Sequence, residues 1–171
     1  MGFDNMDNRG VNACFTTGLL VMDAGAVLTY TTTAAIQNSL DGKISSKATI
    51  ASAAEPTLDA VTGLAFPLLV GGASVLNTPG SGAVIVWCLD STGTVKVVHG
   101  PVTRLDMQGN FPISPAFPGI PDTLVPFAYS VLKAGATAAV NVQFGVTVHN
   151  AAGYTNVTQN VHALPSRPQI A

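Results

Sequence analysis

The stretch AVIVWCL at residues 83–89, followed by DSTG at 90–93 and TVKVVH at 94–99, decides the fold class of this chain. The first run is rich in β-branched residues and apolar at every position, so it predicts a strand with both faces covered. Asp and Gly in the connection are turn formers, and Gly100-Pro101 ends the return run. The stretch therefore predicts a β-hairpin whose first strand is either central in its sheet or covered by a partner.

The rest of the chain also favours strands over helices. Strong helix formers are scarce on its surface, since the chain holds a single glutamate, whereas its 17 glycines and 11 prolines supply turns and breaks. The dipeptide Asp41-Gly42, between two β-prone runs, is a two-residue hairpin signal. Further short strands are predicted at residues 102–107, 126–132 and 140–148. The sequence thus predicts an all-β protein, either an antiparallel sandwich or a barrel.

Two segments depart from the strand pattern. Residues 1–18 begin with a stretch rich in Asn, Asp and Gly that lacks apolar periodicity, and they are predicted to form an extended N-terminal arm. Residues 111–126 hold five of the eleven prolines, which favour extended backbone, so they are predicted to form a proline-rich extended crossing. Residues 19–171 are then a single β domain that ends in an extended C-terminal tail.

Charged side chains are unusually rare in this chain. Asp, Glu, Lys and Arg account for 9% of its 171 residues, and none occurs between Ala60 and Leu89. An ordinary soluble protein carries about 25% charged residues. Because a surface so poor in charge is weakly protected against association, the chain is predicted to be an assembly component before it is a catalyst.

The sequence also argues against a nucleic-acid partner, a membrane partner and export. The seven Lys and Arg residues form no basic stripe, so nucleic acid is not a predicted partner. The longest apolar run, residues 64–76, is broken by proline and glycine and is shorter than the roughly 18 residues of a membrane helix, so no membrane partner is predicted. The acidic first residues have the wrong sign for a signal peptide, so export is not predicted.

Residues with catalytic or ligating chemistry are few and form no recognised motif. Cys14 and Cys88 are predicted to be reduced thiols, and the apolar neighbours of Cys88 favour an inert, buried group although its strand pairs with that of His99. His149 and His162 flank a strand–turn–strand unit and can approach each other, but they lack a metal-site spacing. The sequence therefore predicts no catalytic residue, no metal site and no cofactor, and the chain is not expected to be an enzyme.

The candidate functional residues are instead those that can contact another subunit. Aromatic and arginine side chains in the arm, the crossing and the tail fit this role, because such residues anchor many protein interfaces. An alternative for the two crossing phenylalanines is that they cover the core of their own chain. The predicted interface residues are Phe3, Arg9, Phe15, Phe111, Phe117, Leu164 and Arg167.

Three blocks of the sequence resemble a recurring pattern in small virion proteins of tailed bacteriophages. They are DSTGTVKVVHGPV at 90–102, FPGIPDTLVPFAY at 117–129, and the end of the chain from AGYT at 152–155 to LPSRP at 164–168. Together they span most of residues 83–171, and the chain resembles capsid decoration, or cement, proteins. Such proteins sit as trimers or dimers on the outer shell and clamp neighbouring major capsid subunits.

The resemblance implies a structural virion protein without catalytic or metal residues. Its partners would be the major capsid protein and further copies of the chain, as a homotrimer or a dimer. It would be made in the host cytoplasm and would reside on the capsid surface. The low charge and the predicted arms agree with this implication, because extended arms can reach neighbouring subunits.

Three alternatives remain open. The chain can be another virion component, such as a head fibre base, a tail tube or a tail-tip protein, which shares the all-β character. It can be a receptor- or carbohydrate-binding β module, faintly indicated by Tyr154 between Asn150 and Asn156. An enzyme would require a pocket with converging acidic and histidine side chains.

Overall fold

The structure, a computed structural model, describes residues 12–23, 28–72, 79–135 and 141–165. These residues contain no helix, and their regular structure consists of strands in three antiparallel sheets, so the all-β prediction is confirmed. The described strands close no barrel. The strands are β1 (Ala13–Thr16), β2 (Leu20–Met22), β3 (Thr29–Thr32), β4 (Ile36–Leu40), β5 (Lys43–Lys47), β6 (Ala53–Ala54), β7 (Ser81–Leu89), β8 (Val95–His99), β9 (Thr103–Arg104), β10 (Val125–Ala134) and β11 (Tyr154–Asn160).

The central sheet is built around the predicted hairpin. Strands β7 and β8 pair antiparallel, with Leu89 opposite Val95 at the turn, which confirms this prediction. The full order is β11-β10-β7-β8, and β9 lies beyond β8 along the same edge of β7. Strand β10 contains the predicted strand at 126–132 and pairs with β7 on one side and β11 on the other.

Strand β7 is covered on both faces, as its uninterrupted apolar sequence predicts. Residues 83–89 are all fully buried. Ile85 and Trp87 point into a core that includes Tyr30 and Phe144. Their neighbours of opposite parity, such as Val86, point into a second core on the other face of the sheet. The strand therefore separates two apolar layers, which explains why no position along it is polar.

The two smaller sheets contribute to the first of these cores. Their orders are β1-β4-β5 and β2-β3-β6. Asp41 and Gly42 join β4 to β5 with φ values of 50° and 74°, as a two-residue hairpin turn requires, so this predicted hairpin is also confirmed. The Tyr30 ring of β3 lies 5.2 Å from the Trp87 ring, measured between centroids, and joins the smaller sheets to the central one.

The second core lies beneath the proline-rich crossing. Leu105, Phe111 and Leu124 are buried in it. The Phe111 ring lies so close to Gly82 that a Cβ atom there would be 2.6 Å from the Phe111 Cζ atom. Glycine at this position of β7 therefore permits the crossing to pack directly on the sheet.

The predicted strand at 140–148 is wrong for the described residues 141–148. Val142 forms an isolated bridge with Leu69, and residues 144–146 form a turn. The Gln143 carbonyl accepts the backbone N–H groups of Val146 and Thr147 at 3.1 and 2.8 Å, and Gly145 has a φ of 73°. The alternating apolar residues Val142 and Phe144 are buried, but they do not lie on a strand, because Gly145 allows the chain to reverse direction.

Two other boundaries also differ from the sequence prediction. The strand predicted at 102–107 is reduced to β9, because Asp106 starts a turn with its carboxylate accepting the N–H groups of Gln108 and Asn110 at 2.9 and 2.7 Å. The predicted arm extends to residue 18, whereas Ala13–Thr16 form β1 and pair with β4. Residues 1–11 of the arm and residues 166–171 of the tail lie outside the described residues.

Candidate interaction surface

An ordered segment at residues 58–70, here called the apolar segment, presents large apolar side chains to solvent. From Ala60 onward it carries no charge. The exposed fractions of its outward side chains are 54% for Leu58, 54% for Val61, 69% for Leu64, 50% for Leu68 and 50% for Val70. Exposed apolar side chains that lie singly are normal, but a concentration of them within one segment is typical of an interaction surface.

Asp59 fixes the first half of the apolar segment. Its Oδ1 atom accepts hydrogen bonds from the backbone N–H of Val61 at 3.0 Å, and from the N–H and hydroxyl of Thr62 at 2.7 and 3.0 Å. Its Oδ2 atom accepts the backbone N–H of His99 at 2.7 Å. Burial alone would raise the pKa of this carboxyl, but the hydrogen bonds outweigh burial and lower it. A charged Asp59 thus ties the segment to β8.

Two buried side chains fix the second half. Leu69 exchanges backbone hydrogen bonds with Val142, at 2.7 and 2.9 Å, and is 1% exposed. The Phe66 ring packs edge-on against Phe144 at 5.1 Å between centroids, and its carbonyl accepts a hydrogen bond from Gln143 Nε2 at 2.7 Å. The fixed residues Asp59, Phe66 and Leu69 lie between the exposed ones. The backbone of the apolar segment is therefore held in place while its large apolar side chains face solvent.

A cavity of about 320 Å³ opens within the apolar segment. Asp59, Thr62, Leu64 and Pro67 line it together with His99. Burial lowers the pKa of His99, although the Gly100 carbonyl beside Nδ1 and the Asp59 charge oppose this shift. The imidazole is therefore neutral near pH 7. The polar groups of the cavity wall are the hydrogen-bonded Asp59 carboxylate, the Thr62 hydroxyl and the His99 ring, whose buried Nε2 atom has no hydrogen-bond partner among the described residues.

A buried polar cluster that no sequence motif indicates lies elsewhere in the fold. Glu55 is 5% exposed, and its carboxylate contacts Nε2 of His149. Nδ1 of the same ring lies 3.0 Å from the Asn156 amide nitrogen, and the Tyr154 ring stacks on it. Burial, followed by the nearby Glu55 charge, raises the pKa of the Tyr154 hydroxyl. The cluster joins a loop after β6 to the start of β11.

The cysteine and histidine pairs considered in the sequence do not form reactive sites. Cys88 pairs in register with Lys96, while His99 pairs with Ile85, whose side chain lies in the opposite core from Cys88. Burial raises the pKa of Cys88 to about 12 and that of Cys14 to about 11, so both thiols are protonated and weak nucleophiles at neutral pH. His162 contacts the Cys14 carbonyl through Nδ1 at 3.2 Å, not the Glu55 cluster of His149.

The predicted interface residues occupy different environments. Phe15 is 48% exposed on β1, and Leu164 packs partly against the second core. Phe111 is 7% exposed, and the Phe117 ring packs edge-on against Tyr129 at 5.1 Å, so both cover the core of their own chain. This placement agrees with the alternative stated for the crossing. Phe3, Arg9 and Arg167 lie outside the described residues. The apolar segment is not among the predicted interface residues, although its lack of charge is visible in the sequence.

The parts of the chain that the structure describes contain neither a metal-binding cluster nor a membrane-spanning helix. No group of three or more His, Cys, Asp or Glu side chains suited to a metal ion occurs there. No helix within those parts is long and apolar enough to cross a membrane. Comparison of the chain with protein-family models, curated proteins and solved structures found no match.

Proposed function

We propose that this chain is a structural virion protein that binds the outer surface of a phage capsid and stabilises the head. In this proposal it is a β-sandwich domain with an N-terminal arm and an extended C-terminal tail. It associates with further copies of itself, as a trimer or dimer, and clamps neighbouring major capsid subunits. It performs no chemistry.

The apolar segment carries this proposal. Five large side chains between Leu58 and Val70 are at least half exposed, yet the backbone beneath them is fixed by Asp59, Phe66 and Leu69. A preformed apolar surface binds a partner with little loss of conformational freedom. Covering it with another subunit would contribute about 25 cal/mol for each Å² of apolar surface removed from water.

The identity of the partner rests on the resemblance of residues 83–171 to capsid decoration proteins. The scarcity of charge supports it, because a surface that is covered in the assembled particle has little need of charge for solubility. Exposed Phe15 on β1, within the predicted arm, offers a second contact. Repetition of moderate contacts by closed symmetry would then give stable attachment.

The proposal is tested by the mass of the purified protein in light scattering, followed by co-sedimentation with emptied phage capsids that lack a decoration protein. A stable trimer or dimer that pellets with the capsids is expected. A monomer that stays in the supernatant would contradict the proposal, and glycan or receptor binding would then be tested instead.

A pair of variants identifies the surface responsible. Replacing Leu64 and Leu68 with aspartate should abolish association or capsid binding, because it places charge in an apolar interface. Ile44→Asp is the matched control, since Ile44 is 77% exposed on β5, outside the apolar segment. Equal losses in both variants, or none in either, would show that the apolar segment is not the interface.

A further inference from the structure

A groove beside the apolar segment has a different chemistry. It is a cavity of about 500 Å³, here called the lysine groove, whose wall includes Tyr30, Ala53, Ala54 and Val95. Lys47 and Lys96 line it as well, and none of its lining residues is acidic. Two of the seven Lys and Arg residues of a nearly uncharged chain therefore meet at one cavity.

The lysine groove lies where the edges of the three sheets come together. Lys47 ends β5, Ala53 and Ala54 form β6, and Val95 and Lys96 begin β8. Each of these strands is the outer strand of its sheet. Exposed strand edges bind extended chain segments, because their backbone groups on that side can pair with an added strand.

The edge of β8 is only partly occupied by the chain itself. The Ala60 N–H donates to the Val97 carbonyl at 2.8 Å, and the His99 N–H donates to Asp59. Because backbone groups alternate along a strand, those of Val95 lie on the same outer edge, at the wall of the groove. An extended segment in the groove could therefore pair with β8 at Val95, next to the part of the same edge that residues 59–60 already occupy.

The charges of the two lysines are available to a ligand. No ion pair within the described residues engages Lys47 or Lys96. The Lys96 charge contributes weakly to the lowered pKa of Asp90, but the two form no ion pair, and the Oδ1 atom of Asp90 accepts hydrogen bonds from Thr92 and Thr94 in the turn after β7. The Lys47 stem lies alongside the same turn, since a Cβ on Gly93 would be 3.7 Å from its Cδ atom. Both ammonium groups can therefore pair with carboxylates from outside.

The geometry points to an extended, acidic segment of a partner protein as the occupant of the lysine groove. Carboxylates two residues apart on such a segment project on the same side, about 7 Å from each other, so the segment can present two carboxylates to the groove that both lysines line. The wall of the groove includes the small side chains of Ala53, Ala54, Thr57 and Thr94. This inference rests on the proposed function for the partner's identity, since the acidic segment would belong to the major capsid protein.

The test measures binding of a fluorescein-labelled peptide, acetyl-Ser-Asp-Val-Glu-Ser-amide, by fluorescence anisotropy at low salt. The acidic peptide should bind, and its analogue with Asn and Gln in place of Asp and Glu should bind about tenfold more weakly. The K47Q/K96Q variant should lose a similar factor. The K43Q/R104Q variant removes the same charge at exposed positions outside the groove and should bind within twofold of the wild type.

Several results would overturn the inference. They are equal binding by K47Q/K96Q and wild type, equal binding of the acidic and amide peptides, or lysine-dependent binding of inorganic phosphate without binding of the peptide. If K47Q/K96Q folds poorly by circular dichroism, the charge-reversed K47E/K96E variant replaces it. That variant should bind a peptide with Lys in place of Asp and Glu, and failure to do so also overturns the inference.

The same variants separate this inference from the proposed function. If wild-type protein pellets with capsids but K47Q/K96Q pellets equally well, the groove inference fails and the proposed function stands. If the wild type does not pellet, the proposed function fails, while the peptide measurement still decides whether the groove binds acidic segments.

Discussion

The one glutamate of the chain, Glu55, is buried with its carboxylate against His149. Burying a charged group is costly unless it keeps its partner, so such pairs are sensitive to the loss of one member. The Asn156 amide and the stacked Tyr154 ring hold the imidazole in position. The cluster therefore stabilises the contact between the loop after β6 and β11.

The first prediction concerns this pair. His149→Phe should lower the free energy of unfolding by about 3–5 kcal/mol, because it leaves the Glu55 carboxylate buried without its partner. Unfolding in urea, followed by the fluorescence of the single tryptophan, Trp87, measures the loss. His162→Phe is the control, since His162 is exposed. A loss below 1 kcal/mol, as for an exposed pair, would show that the contact is not structurally important.

Asp59 carries a pH dependence with a defined sign. Its pKa is lowered in the folded protein from an ordinary value of 3.8, so it stabilises the fold fully above that value. This contribution is lost as the pH falls through the folded pKa. Asp59→Asn should cost about 1–3 kcal/mol at pH 7, because the His99 N–H loses its acceptor, and the difference from wild type should shrink in acid below the ordinary value.

The measurement is urea unfolding of wild type and Asp59→Asn at neutral pH and at successively lower pH. Asp122→Asn is a suitable control because Asp122 is exposed. A difference between wild type and Asp59→Asn that stays constant through acid pH would rule out the charged hydrogen-bonded carboxylate as the cause.

Among the strands and turns, the features predicted from the sequence are those that depend on residues close together in the chain. The hairpins at Asp41-Gly42 and at 90–93 were identifiable because turn residues separate runs of β-branched residues. The strand expected through 141–148 failed because the same alternation also places Val142 and Phe144 in the core from a bridge and a turn. The alternation of apolar residues reflects their burial in the core, and Gly145 permits a turn there instead of an extended strand.

Gly145 provides the third prediction. Its φ is 73°, and an added Cβ would be 2.7 Å from the Pro56 carbonyl oxygen, so Gly145→Ala should destabilise through both backbone strain and a clash. Gly63→Ala is a matched control, since Gly63 has a φ of 68° but nothing within 4 Å of an added Cβ. The control should cost about 1–2 kcal/mol from its backbone conformation alone. Gly145→Ala should cost clearly more in urea unfolding, and equal losses would contradict the close approach.

Across the whole molecule, the long-range contacts were the part that the sequence did not predict. The apolar sequence of β7 indicated that both its faces are covered, but not that the crossing covers one of them with Phe111 and Leu124. The apolar segment was likewise visible only as a charge-free stretch. Which of its residues point outward depends on Asp59 and Phe66 meeting β8 and residues 143–144, and these partners are distant in sequence.

The fourth prediction concerns the forces that hold the assembly together. If the apolar segment forms the self-association interface, raising the salt from about 0.05 M to about 1 M should leave the mass in light scattering unchanged or increased, because that interface holds no charge pairs to screen. Binding of the acidic peptide to Lys47 and Lys96 should weaken over the same range, since both lysines are only half-buried in an open groove and salt screens such pairs. Dissociation of the oligomer by salt would place its interface at the charged residues instead, and the apolar segment would then be free to contact another partner.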